Sequence, residues 1–181
     1  MKRSLAWLAS LLAVLLPLTA AAQQGLEIDI VGGNAAALPI AVVPMPYQGT
    51  APAPPTDVSE VVTADLARSG QFRPLPVGDI VEKPTRGGEI NYPTWRALNQ
   101  DYIVVGRVLD AGAGTFRVEY ELFDVAKQQR LLGFALTARA NAMRDVAHQI
   151  ADAVYEKITG VRGAFFTRIA YVTATGTGKG A

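Results

Sequence analysis

From Phe116 to Phe123, apolar and charged residues alternate without a break: Phe116, Val118, Tyr120 and Leu122 take one side, Arg117, Glu119 and Glu121 the other. A period of two sorts side chains onto opposite faces only in an extended strand, so this stretch belongs to a sheet with one core face and one face that is solvated or lightly covered. Tyr102 to Leu109 before it and Leu131 to Ala140 after it also read as strands, joined through a Gly-containing turn at Ala111 to Gly114 and a polar one at Asp124 to Gln129. Three strands with connections this short form an antiparallel meander.

An apolar sheet face must be covered, and two segments have the period to cover it. Asp57-Val58-Ser59-Glu60 has capping-box spacing, Val58, Val61, Val62 and Leu66 fall on one helical stripe, and Gly70 supplies a stop, which predicts a helix over Asp57 to Ser69. Asn141 to Thr159 repeats the pattern, with Met143, Val146, Ala147, Ile150, Val154 and Ile158 on one stripe and Asp145, Asp152 and Glu156 opposite. Pro39-Ile40-Ala41-Val42-Val43-Pro44 reads as a strand buried on both faces, and Gly49 to Pro55 as a loop. Arg73 to Tyr92, rich in Pro and Gly, reads as surface loop around at most one short strand, after which Pro93 opens a short helix, Thr94 to Asn99, with Trp95 and Leu98 on one face. The expectation is an α/β domain, α+β-like in character, over residues 23–160: a mixed sheet covered by two main helices.

The ends of the chain say where it works. Lys2 and Arg3 precede an apolar run from Leu5 to Leu16, and Ala20-Ala21-Ala22 stands before Gln23, so residues 1–22 read as a secretory signal peptide cleaved after Ala22. The apolar run of twelve residues, 5 to 16, is well short of the roughly 20 needed to span a bilayer, so no stable membrane insertion is expected once the signal is removed. Of 17 Lys and Arg two leave with the signal, so 15 face 16 Asp and Glu, with no basic run to track a phosphate backbone; nucleic acid is not an expected partner. The chain has no cysteine, so an exported domain of this kind rests on its hydrophobic core, which suits a bacterial periplasm.

Beyond Gly160, Phe166 to Val172 is again strand-like and leads into a tail of Gly, Thr and Lys, Thr173 to Ala181. This strand either joins the upstream sheet or opens a further domain. The second reading is preferred, with residues 161–181 as a linker and first strand. A mobile tail from Arg162 is then expected, with Phe165, Phe166, Ile169, Tyr171 and Val172 forming an apolar edge that promotes association.

Chemistry is sparse. His148, the one histidine, falls on the helical wheel with Arg144 and Asp145 away from the Met143 stripe and reads as a solvated surface residue without the partners that catalysis or metal binding needs. No Ser-His-Asp or Cys-His set can be assembled, and no metal or cofactor site is expected. Glu27 and Asp29 occupy the solvent half of an alternating strand and lack the burial that paired catalytic carboxylates need. Gly176-Thr177-Gly178-Lys179-Gly180 hints at a phosphate loop, but the first glycine of that motif would fall at Thr173 and no helix follows. Leu26-Glu27-Ile28-Asp29-Ile30 does have the pattern of a strand at a free end. It either completes this domain's own sheet as an edge strand or adds to the edge of a partner, with main-chain hydrogen bonds for affinity and Leu26, Ile28 and Ile30 for specificity.

In order along the chain, the signal peptide, the Leu26 to Val31 strand, Pro39 to Pro44, the helix end Leu66-Ala67-Arg68-Ser69-Gly70-Gln71-Phe72, Trp95-Arg96-Ala97-Leu98, Asp101 to Gly106, and Ile158 to Val172 resemble the TolB family over essentially the whole chain. The resemblance implies a non-catalytic periplasmic component of the Tol-Pal system, in which an N-terminal α/β domain precedes a six-bladed β-propeller. It implies a role in outer-membrane integrity and in invagination at division, and exploitation by colicins. By position, the segment Gln23, Gln24, Gly25, Leu26, Glu27, Ile28, Asp29, Ile30 and Val31 is implied to bind the TolA C-terminal domain. Phe166 to Val172 corresponds to the opening strand of the propeller. Pal binding belongs to the rest of that propeller, so it maps onto no residue of this chain. The competing expectation is a small exported enzyme or ligand-binding domain that uses the open face of the Tyr102 to Ala140 meander; convergent polar residues with shifted pKa values would mark it.

Overall fold

Leu38–Val42 forms strand β1 and Tyr47–Gln48 the short β2; Val58–Arg68 is helix α1, Phe72–Pro74 strand β3, and Tyr92–Ala97 the short helix α2. Strands β4 (Tyr102–Gly112), β5 (Thr115–Asp124) and β6 (Gln129–Arg139) follow, then helix α3 (Met143–Thr159). The structure, a computed structural model of the chain, describes residues 37–167. The strands make one mixed sheet in the order β3-β1-β4-β5-β6. β3, β1 and β4 run parallel, while β4, β5 and β6 form the expected antiparallel meander. β2 pairs in parallel with the far half of β4, placing Tyr47 opposite Val108. A parallel pair cannot be closed by a tight turn, and α1 supplies the crossover from β1 to β3.

Local chemistry sets the helix limits. Asp57 stands just before α1 and its carboxylate accepts the Glu60 N–H at 3.1 Å, satisfying one of the donors that a helix start leaves open. At the end of α3, the Gly160 N–H donates to the Glu156 carbonyl at 2.8 Å.

Both main helices lie on the same sheet face. There Ile40, Val104, Val118 and Leu122 meet Val62 and Leu66 of α1 and Met143, Ile150 and Val154 of α3, all closed to solvent. Burying each such side chain contributes about 1.5–3 kcal/mol. The opposite face carries a second core of Ala41, Val43, Ile103, Val105 and Phe123, covered not by a long helix but by Ile80, Ile90 and, from the short α2, Trp95. The Pro- and Gly-rich stretch, expected as surface loop around at most one short strand, does hold the short β3 at its start, but it is not all surface: Ile80 and Ile90 go on to cover the second face. At Gly87 this cover presses onto the Phe123 ring, where an added Cβ would lie 2.1 Å from Cζ.

The expectation of a mobile tail from Arg162 fails at its start. The Asp152 carboxylate on α3 accepts the backbone N–H of Phe165 at 2.7 Å and of Phe166 at 3.0 Å. Gly163 passes so close to α3 that a Cβ there would lie 2.3 Å from Asp152 Oδ1. The Phe165 ring packs edge-on against Tyr155 with centroids 5.6 Å apart, so the chain leaves α3 clipped to it rather than free. Phe166 remains exposed.

Candidate functional site

Beside the 75–98 cover, and touched by it at Arg86 and Gly87, the sheet is charged. Cross-strand pairing sets Arg107 of β4 against Glu119 of β5, and Glu119 and Glu121 against Ala135 and Gly133 of β6. Arg107 forks onto Glu119 Oε2 through Nε at 3.0 Å and Nη2 at 2.5 Å, and Arg117 Nε donates to Glu119 Oε1 at 3.0 Å. One strand repeat away, Glu121 accepts from Arg130 Nη1 at 3.1 Å and from the Gly87 N–H at 2.8 Å. The hydrogen bonds from Arg117 first and Arg107 second hold the Glu119 carboxyl below its ordinary value of 4.5. These groups, with Arg86, line an open cleft of about 430 Å³. Arg107 Nη1 is buried there without a partner among the described residues.

A larger cleft of about 660 Å³ lies where the chain leaves β1, walled largely by apolar Pro44, Met45, Tyr47, Pro54 and Val108. Asp57 borders it but is engaged in capping α1. Among the described residues no group of three or more His, Asp or Glu is placed to hold a metal ion, and no helix is long and apolar enough to cross a membrane.

The sequence-derived site residues are not brought into this picture. Gln23, Gln24, Gly25, Leu26, Glu27, Ile28, Asp29, Ile30 and Val31 lie outside the described residues, as do Ile169, Tyr171, Val172 and the glycines from Gly176 to Gly180. His148 is corrected: it is not a solvated surface residue but sits between the helices, its side chain 17% exposed and its Nδ1 2.5 Å from Oδ2 of Asp65 on α1. Asp65, 3% exposed, is also paired with Arg68. The signal for this contact was present, since Asp65 falls on the apolar stripe with Val58, Val61, Val62 and Leu66, where a carboxylate needs a partner. The Arg107, Arg117 and Arg130 set was missed because only strand register reveals which charges are neighbours.

A mixed sheet with both long helices on one face, and a loop and a charge ladder on the other, defines an α/β domain of two main layers. Residues 26–131 match the TolB amino-terminal domain. The chain belongs to that family, as the sequence resemblance implied. It is 73% identical over 179 residues to the Tol-Pal system protein TolB of Xanthomonas campestris pv. campestris (strain B100) and equally to that of Xanthomonas euvesicatoria pv. vesicatoria (strain 85-10). Each match covers 98% of this chain and 41% of the relative, so the chain spans well under half the length of these curated relatives. The crystal structure of TolB from Acinetobacter baumannii superposes with a TM-score of 0.60 at 32% identity, covering 72% of this chain and 30% of that one.

Proposed function

We propose that this chain provides the amino-terminal binding module of a periplasmic Tol-Pal adaptor and that it has no catalytic role. The observation that carries the reading is the 73% identity to proteins named Tol-Pal system protein TolB, running over 98% of the chain. Residues 1–22 direct export and are removed, residues 23–160 form the domain, and residues 161–181 lead into the first strand of a propeller. The segment Gln23 to Val31 adds as a strand to the TolA C-terminal domain, its main chain completing the partner's sheet and Leu26, Ile28 and Ile30 filling apolar positions. Through this link the module supports outer-membrane integrity and invagination during division, and offers colicins a route of uptake. Pal engages only where a propeller is present.

The test is calorimetric titration of residues 23–181 with the TolA C-terminal domain, beside the same protein starting at Asn34. The core residues of both clusters among the described residues all lie at or after Ile40, and the amide dispersion of the shortened protein is recorded beside the titration so that loss of folding is told apart from loss of binding. Binding lost on deletion supports the assignment; equal binding by both proteins places the contact elsewhere, and no binding by either refutes the module as sufficient.

A further inference from the structure

We infer that the arginine-lined cleft on the open sheet face is a second protein-binding surface, which takes an extended acidic peptide through carboxylates at alternate positions. Four guanidinium groups, Arg86, Arg107, Arg117 and Arg130, line the cleft against two carboxylates, Glu119 and Glu121, so donors exceed acceptors. The excess is visible atom by atom. Arg107 Nη1 is buried without a partner, Arg117 reaches its carboxylate only through Nε, Arg130 only through Nη1, and Arg86 makes no side-chain hydrogen bond among the described residues. A guanidinium has five N–H donors and binds carboxylates side by side, so a ligand carboxylate meets the remaining donors of the exposed Arg117 and Arg130, already oriented by the pairs beneath, while the largely buried Arg107 adds its charge from below.

Spacing selects the ligand. The two arginine groups centre on Glu119 and Glu121, two residues apart on β5, which is roughly 7 Å along a strand. Alternate side chains of an extended peptide repeat at the same distance. β6, the last strand of the sheet among the described residues, borders the cleft with Arg130, Gly133, Phe134 and Ala135, and the small Gly133 and Ala135, paired with Glu121 and Glu119, leave room for a main chain alongside. A polyphosphate fits less well, since Glu119 and Glu121 on the floor repel a continuous run of charge that they would meet at full density.

The purified chain is titrated with an acetylated hexapeptide of alternating Thr and Glu, the same peptide with Gln for Glu, and an oligothymidylate, with amide chemical shifts as the readout. The Glu peptide should produce saturable shifts confined to Glu119, Glu121, Arg130, Gly133 and their neighbours, weakening as salt rises from about 0.05 to about 0.3 M because the contacts are solvent-exposed. Arg117→Gln with Arg130→Gln, both at exposed side chains, should keep the dispersed spectrum of the folded chain and weaken the peptide roughly tenfold. Absence of shifts, equal shifts with the Gln peptide, or tighter binding of the oligothymidylate at the same residues would each overturn the proposal.

Discussion

Asp152→Ala removes the acceptor that clips the chain back onto α3 after Gly160. In the native protein that carboxylate takes the N–H of Phe165 at 2.7 Å and of Phe166 at 3.0 Å, the first part-buried and the second exposed. A hydrogen bond to a charged group contributes about 1.5–3 kcal/mol, and each 1.4 kcal/mol is about tenfold in an opening equilibrium. Hydrogen exchange at the Phe165 amide should therefore accelerate roughly ten- to a hundredfold. Global stability should fall far less. The variant populates the unclipped state without disturbing the α1–α3 core, and Ala in place of Asp in a helix interior returns about 0.5–0.7 kcal/mol of propensity. A net loss of about 1 kcal/mol by urea unfolding is expected. Gly163→Ala reaches the same state from the other side, because its Cβ would lie 2.3 Å from Asp152 Oδ1 and 2.6 Å from Asp152 Cα, where backbone cannot yield. Phe165 exchanging at unstructured rates in the native chain, or at an unchanged rate in Asp152→Ala, would refute the clip.

His148→Ala should cost about 1–3 kcal/mol by leaving Asp65, 3% exposed, with Arg68 alone; a double-mutant cycle with Asp65→Ala that is additive within about 0.3 kcal/mol would deny the contact. Trp95→Phe should cost only about 1 kcal/mol because the buried indole Nε1 has no partner among the described residues, whereas Trp95→Ala should cost about 3–5 kcal/mol. A large loss in the Phe variant, read by urea unfolding, would mean that the N–H is bonded. Burial pushes the Tyr120 hydroxyl from 10.0 up to about 12, so its contribution to stability is intact below pH 10 and is lost as pH rises towards 12. Burial raises Tyr47 and Tyr92 as well, so ultraviolet titration should find Tyr120 among the late-ionising members of the six tyrosines, and six ionising together in the folded state would contradict its burial.

What could be read from sequence was whatever leaves a period or a cap. The alternation in β5, the stripes of α1 and α3 and the Asp57 cap appear in the fold within one or two residues of their expected limits. Which face each layer takes was not legible, because a period reveals that a face is apolar but not what covers it. Ile80, followed directly by an exposed Val81, and the isolated Ile90 sit in a stretch broken by Pro and Gly, so nothing local distinguishes their burial from exposure. Asp65 and His148 are 83 positions apart, and Asp152 meets a chain that has already passed the helix stop; only tertiary geometry joins them. The arginine cleft fails for the same reason, since Arg107, Glu119 and Ala135 become neighbours through two strand registers at once.

The arginine cleft also has a definite place relative to the edge of the sheet where the described residues begin. Leu38 pairs with Phe72 of β3 and donates its N–H to Gln71 at 2.9 Å; the Phe72 ring meets Tyr155 at 5.9 Å, and Tyr155 meets Phe165 at 5.6 Å. The start of β1 and the chain at Phe165 therefore both lie beside β3, an edge strand of the sheet. The arginine cleft spans β4, β5 and β6, on the other side of β1 from β3. Between β3 and the cleft runs the β1–β4 pairing, buried on both faces, which a surface substitution does not deform. If the proposed TolA segment and the cleft act independently, neutralising Arg117 and Arg130 should leave TolA binding unchanged, removing residues 23–31 should leave peptide binding at the cleft unchanged, and the combined change should be additive within about 0.5 kcal/mol; a larger departure in paired titrations would refute their independence.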